Sequence, residues 1–92
     1  MRERDVENKV CRMARMRGWT VLKFVSPGMR GMPDRLMLRH GAAVFIEFKA
    51  PGRKPTALQR NAHDLLRDAG MTIYVVDDVD KGMFFLSAWE NQ

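Results

Sequence analysis

An α/β fold in which helices flank a mixed sheet follows from three features of this chain. Two amphipathic stripes recur at helical spacing, short runs of β-branched and aromatic residues lie around them, and Gly or Pro marks the junctions. From Glu3 to Arg17 the apolar residues Val6, Val10, Met13 and Ala14 fall on one helical face, and Gly18 is placed to cap its C-terminus. Trp19 to Val25 reads as a strand that ends in a loop running from Ser26 to Pro33. Asp34 to Arg39 and Ala42 to Lys49 are two more strands, joined at His40-Gly41, where Gly supplies the positive φ of a tight hairpin.

A loop of breakers and positive charge, Ala50 to Pro55, precedes a second stripe of Leu58, Ala62, Leu65, Leu66 and Ala69, which Gly70 closes. Thr56-Ala57-Leu58-Gln59 at its start has the form of a capping box. Met71 to Val76 is a buried-type strand, expected to run parallel to the one before it because a helix connects the two. Val79 to Trp89 fits two readings: a short helix capped by Asp77 or Asp78 and weakened by Gly82, or an edge strand through Met83-Phe84-Phe85-Leu86.

The chain of 92 residues and 10.6 kDa is sized for one domain, residues 1–92, and its 46% hydrophobic and 29% charged residues exclude a disordered polymer. Sixteen Lys and Arg against eleven Asp and Glu leave a net charge of +5, which favours a polyanionic partner. A lone Cys11, a charged N-terminus and the lack of a long apolar run point to a reducing, cytoplasmic setting without a membrane span. His40, His63 and Cys11 lack companions at zinc-ligand spacing, so both histidines read as structural, and no phosphate-binding glycine loop occurs.

A turn at His40-Gly41 sets Arg39 opposite Ala42 and, counting outward, Leu36 opposite Phe45 and Asp34 opposite Glu47. Directly opposed side chains share a face with Cβ atoms about 4.5–5.5 Å apart, so two like charges there repel. Their face is otherwise apolar, which raises the cost of leaving the charges uncompensated. Lys49 returns to that face two residues beyond Glu47. A hard cation, Mg²⁺ or Mn²⁺, resolves the repulsion: Asp34 and Glu47, with the Phe48 carbonyl between Glu47 and Lys49, are oxygen ligands that leave positions for water and phosphate. Lys49 beside such an ion suits phosphodiester hydrolysis, orienting water or stabilising developing charge. The same three residues also suit a surface salt bridge between Lys49 and Glu47 with Asp34 as a turn residue, and spacing alone does not separate the two.

Gly31-Met32-Pro33-Asp34 followed by Glu47-Phe48-Lys49 resembles the PD-(D/E)xK nuclease signature. With Glu7 in the first helix and Gln59 at the start of the second, essentially the whole chain resembles, more narrowly, the VRR-NUC family. That resemblance implies a restriction-endonuclease-like αβββαβ core and a small homodimeric, structure-selective DNA endonuclease of the stand-alone phage or bacterial type, acting on branched DNA such as four-way (Holliday) junctions. It makes Asp34 and Glu47 metal ligands, Lys49 the catalytic lysine, Glu7 an additional acid of the site and Gln59 a supporting residue. Taken without the family, Glu7 reads as a solvated acid near a helix N-terminus, and Gln59 as the reciprocal half of its capping box.

Arg30, Arg53, Lys54 and Arg60 flank the site in sequence as candidate phosphate contacts, and Lys23 is a candidate from the first strand. The eight methionines, Phe84, Phe85 and Trp89 suit core or interface packing, with a symmetric dimer through the C-terminal segment expected. Two rival readings stay open at this level: a non-catalytic nucleic-acid-binding module on the same fold, and a duplex nuclease indifferent to branching.

Overall fold

The computed structural model describes residues 1–91 and follows the expected order of elements. Helix α1 (Glu3–Met16) leads into strands β1 (Thr20–Lys23), β2 (Arg35–Arg39) and β3 (Ala42–Phe48). Helix α2 (Ala57–Asp68) then carries the chain to β4 (Thr72–Val76), and α3 (Val79–Glu90) follows. The four strands lie side by side in chain order, antiparallel from β1 to β3 and parallel between β3 and β4. The sheet is therefore mixed, and helices flank it.

Alternation along the strands divides the helices between the two faces. Met37, Val44, Ile46, Phe48 and Val76 pack into one buried cluster with Val6, Val10, Cys11 and Ala14 of α1 and with Met83 and Leu86 of α3. The opposite face carries Phe45, Glu47 and Ile73, and α2 lies over it with Ala62 and His63 buried. The polar site and the main core thus belong to opposite sides of the same strands.

The hairpin has the register expected from its turn, with Arg39 opposite Ala42 and Leu36 opposite Phe45. His40 (φ 46°) and Gly41 (φ 84°) both sit in the left-handed region, as a two-residue type I′ connection requires. The strand ladder ends one pair earlier than expected, at Arg35 opposite Ile46, because the Asp34 side chain and not its main chain engages the end of β3.

The ambiguous C-terminal segment is a helix. Asp78 caps it, its carboxylate accepting from the Asp80 N–H, and Gly82 has a packing role. A Cβ at Gly82 would stand 3.0 Å from side-chain atoms of both Val10 and Val76, so glycine lets α3 approach α1 and β4 closely. Met83 and Leu86 enter the core, Phe85 stacks on Tyr74 at 4.4 Å, and the Trp89 ring N–H donates to the Tyr74 hydroxyl. Most of the expected aromatic interface is therefore spent inside the chain, leaving Phe84 73% exposed. Among the described residues no helix is long and apolar enough to cross a membrane.

Candidate active site

Buried Pro33 delivers Asp34 to the open end of the hairpin. The Asp34 main-chain carbonyl accepts from the Phe24 N–H at 3.0 Å, and its carboxylate accepts from the Phe48 N–H at 2.9 Å. One residue away, Glu47 is 2% exposed on the α2 face. Its Oε2 accepts from Gln59 Nε2 at 3.1 Å and lies 3.5 Å from Lys49 Nζ. The expected convergence of Asp34, Glu47 and Lys49 is thus present, with Gln59 added from α2.

Gln59 makes two sets of contacts, to its own helix cap and to Glu47. Its Oε1 accepts from the Thr56 N–H at 3.0 Å while its own N–H donates to Thr56 Oγ1 at 3.2 Å, completing the capping box. The remaining amide N–H is free to hold Glu47. Gly31 brings the preceding loop against the same turn: a Cβ there would lie 2.7 Å from the Leu58 carbonyl oxygen, and its φ is +86°. A side chain at that position would meet the backbone that presents Gln59.

The electrostatics favour a bound cation. Burial, and then repulsion from Asp34, raise the Glu47 pKa to about 7 against the pull of Lys49. Burial likewise raises Asp34, opposed by the Phe48 N–H and reinforced by the charge of Glu7. Glu47 Oε1 is buried with no hydrogen-bond partner. It faces His63 Nε2 at 3.9 Å, which is beyond hydrogen-bond distance and equally unpartnered. Burial lowers the His63 pKa, so the imidazole is neutral beside Glu47 and offers no compensating charge. Oxygen donors, mutual repulsion and an unsatisfied buried carboxylate oxygen together fit a hard divalent ion. No group of three or more His, Cys, Asp or Glu is arranged to hold a metal among the described residues, so such an ion would rely on two acids, main-chain oxygen and water.

Glu7 is not at this side of the sheet. It accepts from Arg35 Nε at 2.8 Å, and Arg35 projects to the α1 face because β-strand neighbours alternate. Lys23 pairs with Arg35 in the register and so shares that face, away from the side chains of Glu47 and Lys49. Arg30, Arg53 and Lys54 are exposed, whereas Arg60 donates to the Pro55 carbonyl at 2.8 Å and helps close the turn before α2.

Two participants escaped sequence reasoning. His63 stands one helical turn after Gln59, so a shared α2 face was the available signal, but a search for zinc-type spacing does not use it. Arg35 follows Asp34 directly, and its partner Glu7 becomes visible only once α1 is docked.

No family model matches the chain. Over 81 residues, 87% of each chain, it is 43% identical to the protein named "Putative nuclease p44" of Acyrthosiphon pisum secondary endosymbiont phage 1. It is also similar to a solved structure described as a VRR_NUC domain, with a TM-score of 0.83 at 26% identity, covering 92% of this chain and 94% of that one.

Proposed function

The chain belongs to the VRR-NUC family of nucleases, and from that premise we propose that it is a Mg²⁺- or Mn²⁺-dependent DNA endonuclease selective for branched substrates such as four-way junctions. The observation that carries the metal-dependent reading is Glu47: a buried carboxylate with one oxygen that no protein group satisfies, set between Asp34 and Lys49. Asp34, Glu47 and the Phe48 carbonyl are the oxygens that would hold the ion, which when bound supplies the Lewis acidity to polarise a phosphoryl oxygen and acidify water.

The chain's own groups do the rest. Lys49 sits at the mouth of the site with its ammonium 3.5 Å from Glu47, so it helps keep that acid ionised. It is also placed to orient the attacking water and to stabilise negative charge as it develops on the phosphate. Gln59 fixes the Glu47 carboxylate through one amide hydrogen, and the Phe48 N–H fixes Asp34, so neither ligand has to reorganise when substrate arrives. Exposed Arg30, Arg53 and Lys54 supply phosphate contacts that position a backbone without reading bases. Preference for branched DNA and a homodimeric enzyme belong to this reading through the family resemblance, and a cytoplasmic setting through the lone Cys11.

Incubating the protein with labelled four-way junction, flap, single strand and linear duplex in Mg²⁺ or Mn²⁺, beside Lys49→Ala, tests it, with sedimentation at micromolar concentration for the dimer. Cleavage of the junction is expected, reduced on the order of 10²–10⁴-fold in Lys49→Ala while DNA binding is retained. Binding without cleavage in either metal leaves only a binding module. Equal cutting of linear duplex removes the branch selectivity.

A further inference from the structure

Helix α1 packs on the sheet face opposite the Glu47 side chain, and two contacts fix how it lies along the hairpin. Near its start, Glu7 accepts from Arg35 Nε at the open end that carries the site. Just past its end, the Arg17 carbonyl accepts from Arg39 Nε at 3.1 Å, beside the turn. The helix therefore runs the length of the hairpin, and its outer side looks away from Glu47 and Lys49.

That outer side is a row of cations. Arg4, Lys9, Arg12 and Arg15 are all exposed, and none of the four forms a salt bridge among the described residues. Arg4, Arg12 and Arg15 fall within a sector of about 80° on the side opposite buried Val6, Val10 and Ala14, and Lys9 stands one turn before Arg12. The acids of the helix do not offset them: Asp5 is held by Arg2, Glu7 by Arg35, and Glu3 falls on the helical line of Val10 and Ala14. Solubility is served by interspersed signs. A row of one sign, about 16 Å long with its acids engaged elsewhere, instead complements a polyanion.

We propose that the outer face of α1 grips the backbone of a second duplex arm while a first arm lies at the site of Asp34, Glu47 and Lys49, and that this pairing of surfaces distinguishes branched from linear DNA. The proposal rests on the branched-substrate reading above and supplies its physical source. The two surfaces look in opposite directions from a molecule of only 31 × 31 × 20 Å. Duplex DNA, with a persistence length of about 150 base pairs, does not turn around a body of that size, so a linear duplex engages one surface at a time. Arms that diverge from a branch reach both, and the second contact, once the first is made, is intramolecular. An anionic membrane suits this helix less well, because its apolar stripe is spent on the sheet and cannot insert. A second copy of the same face would meet it with like charge.

Binding of a four-way junction and of linear duplex to the full chain, titrated over a salt series in chelator, tests this without reference to activity. The variant is Arg12→Gln with Arg15→Gln, two exposed positions where glutamine keeps helix propensity. The wild type is expected to bind the junction more tightly and with the steeper salt dependence. The double variant is expected to lose on the order of 10-fold in junction affinity and about 1.8 in junction slope, while linear duplex changes by less than about twofold. Lys54→Ala, which removes charge on the side of the site, is expected to weaken both substrates alike. An equal loss on both substrates in the double variant, no loss on either, or a wild type that binds the two alike would overturn the proposal. So would a smaller species in sedimentation of the variant, which assigns the face to a second copy, or lost binding to phosphatidylserine vesicles with DNA binding intact, which assigns it to a membrane. Cleavage in Mn²⁺ is scored apart: a wild type that never cuts defeats the nuclease reading and leaves the two-surface binding standing, and one that cuts without the binding pattern does the reverse.

Discussion

Glu47 is buried beside another carboxylate, and its proton is held in the folded chain up to a pH of about 7, against an ordinary value of 4.5. In the unfolded chain that proton leaves near the ordinary value, so between the two the folded state binds more protons and stability falls as pH rises. The contribution is complete below about 4.5 and gone above about 7, and it comes to roughly 3 kcal/mol. Asp34, raised in the same direction, adds to the slope. Denaturant midpoints measured in chelator at pH 4.5, 6 and 8 are expected to fall across the series for the wild type and to stay flatter for Glu47→Gln. At pH 8 the variant is expected to be the more stable by about 2 kcal/mol, though inactive. Parallel curves would refute the electrostatic account of the site. At this scale the sequence disclosed the residues that local periodicity brings together: Asp34, Glu47 and Lys49 share one strand end and one face. His63 and Arg35 stayed hidden because their partners come from helix docking, which no local pattern encodes.

Among the elements, the turn before β2 and the start of α2 are made to touch by one glycine. Gly31 combines a positive φ with a backbone carbonyl where its Cβ would be, so Gly31→Ala cannot be absorbed by moving a flexible side chain. A loss of about 2–4 kcal/mol is expected, together with weakened cleavage because the displaced turn carries Gln59. Gly28, three residues earlier, has open space around its Cβ position and no positive φ. Gly28→Ala is expected to be neutral or to stabilise by up to about 1 kcal/mol through the unfolded chain. Thermal melts of the two variants separate packing from loop flexibility, and equal melting temperatures would remove the close-approach argument. The hairpin, both amphipathic helices and the parallel crossover strand were legible because each has a period and a punctuating turn residue. The last element was not, since Gly82 argues against a helix locally and its advantage, contact with Val10 and Val76, exists only after α1 and β4 are in place. A similar displacement explains Asp34: its residue type was legible, but its replacement of a ladder bond at the end of β3 was not.

Across the whole molecule the net charge of +5 overstates what faces a polyanion, because several guanidiniums are internal pins. Arg35 holds Glu7, Arg39 donates to the carbonyls of Arg17 and Glu90, Arg67 to that of Ile73, and Arg60 to that of Pro55. Composition revealed the sign of the partner, and only the docked helices show which charges are left to meet it. Arg30, Arg53 and Lys54 are exposed, and none of the three pairs with an acid among the described residues. If these are the phosphate contacts of one chain, the logarithm of affinity falls with the logarithm of salt at a slope of roughly −2.7, about a 40-fold loss between 50 and 200 mM. Lys54→Ala is then expected to reduce that slope by about one and to weaken four-way junction and linear duplex alike, because a phosphate contact carries no information about branching. Binding titrations over a salt series in chelator, where nothing is cut, measure both quantities. An unchanged slope would remove Lys54 from the interface. A loss confined to the junction would mean that this lysine reads branch geometry, and the division between a backbone-gripping surface and a separate source of selectivity would have to be redrawn.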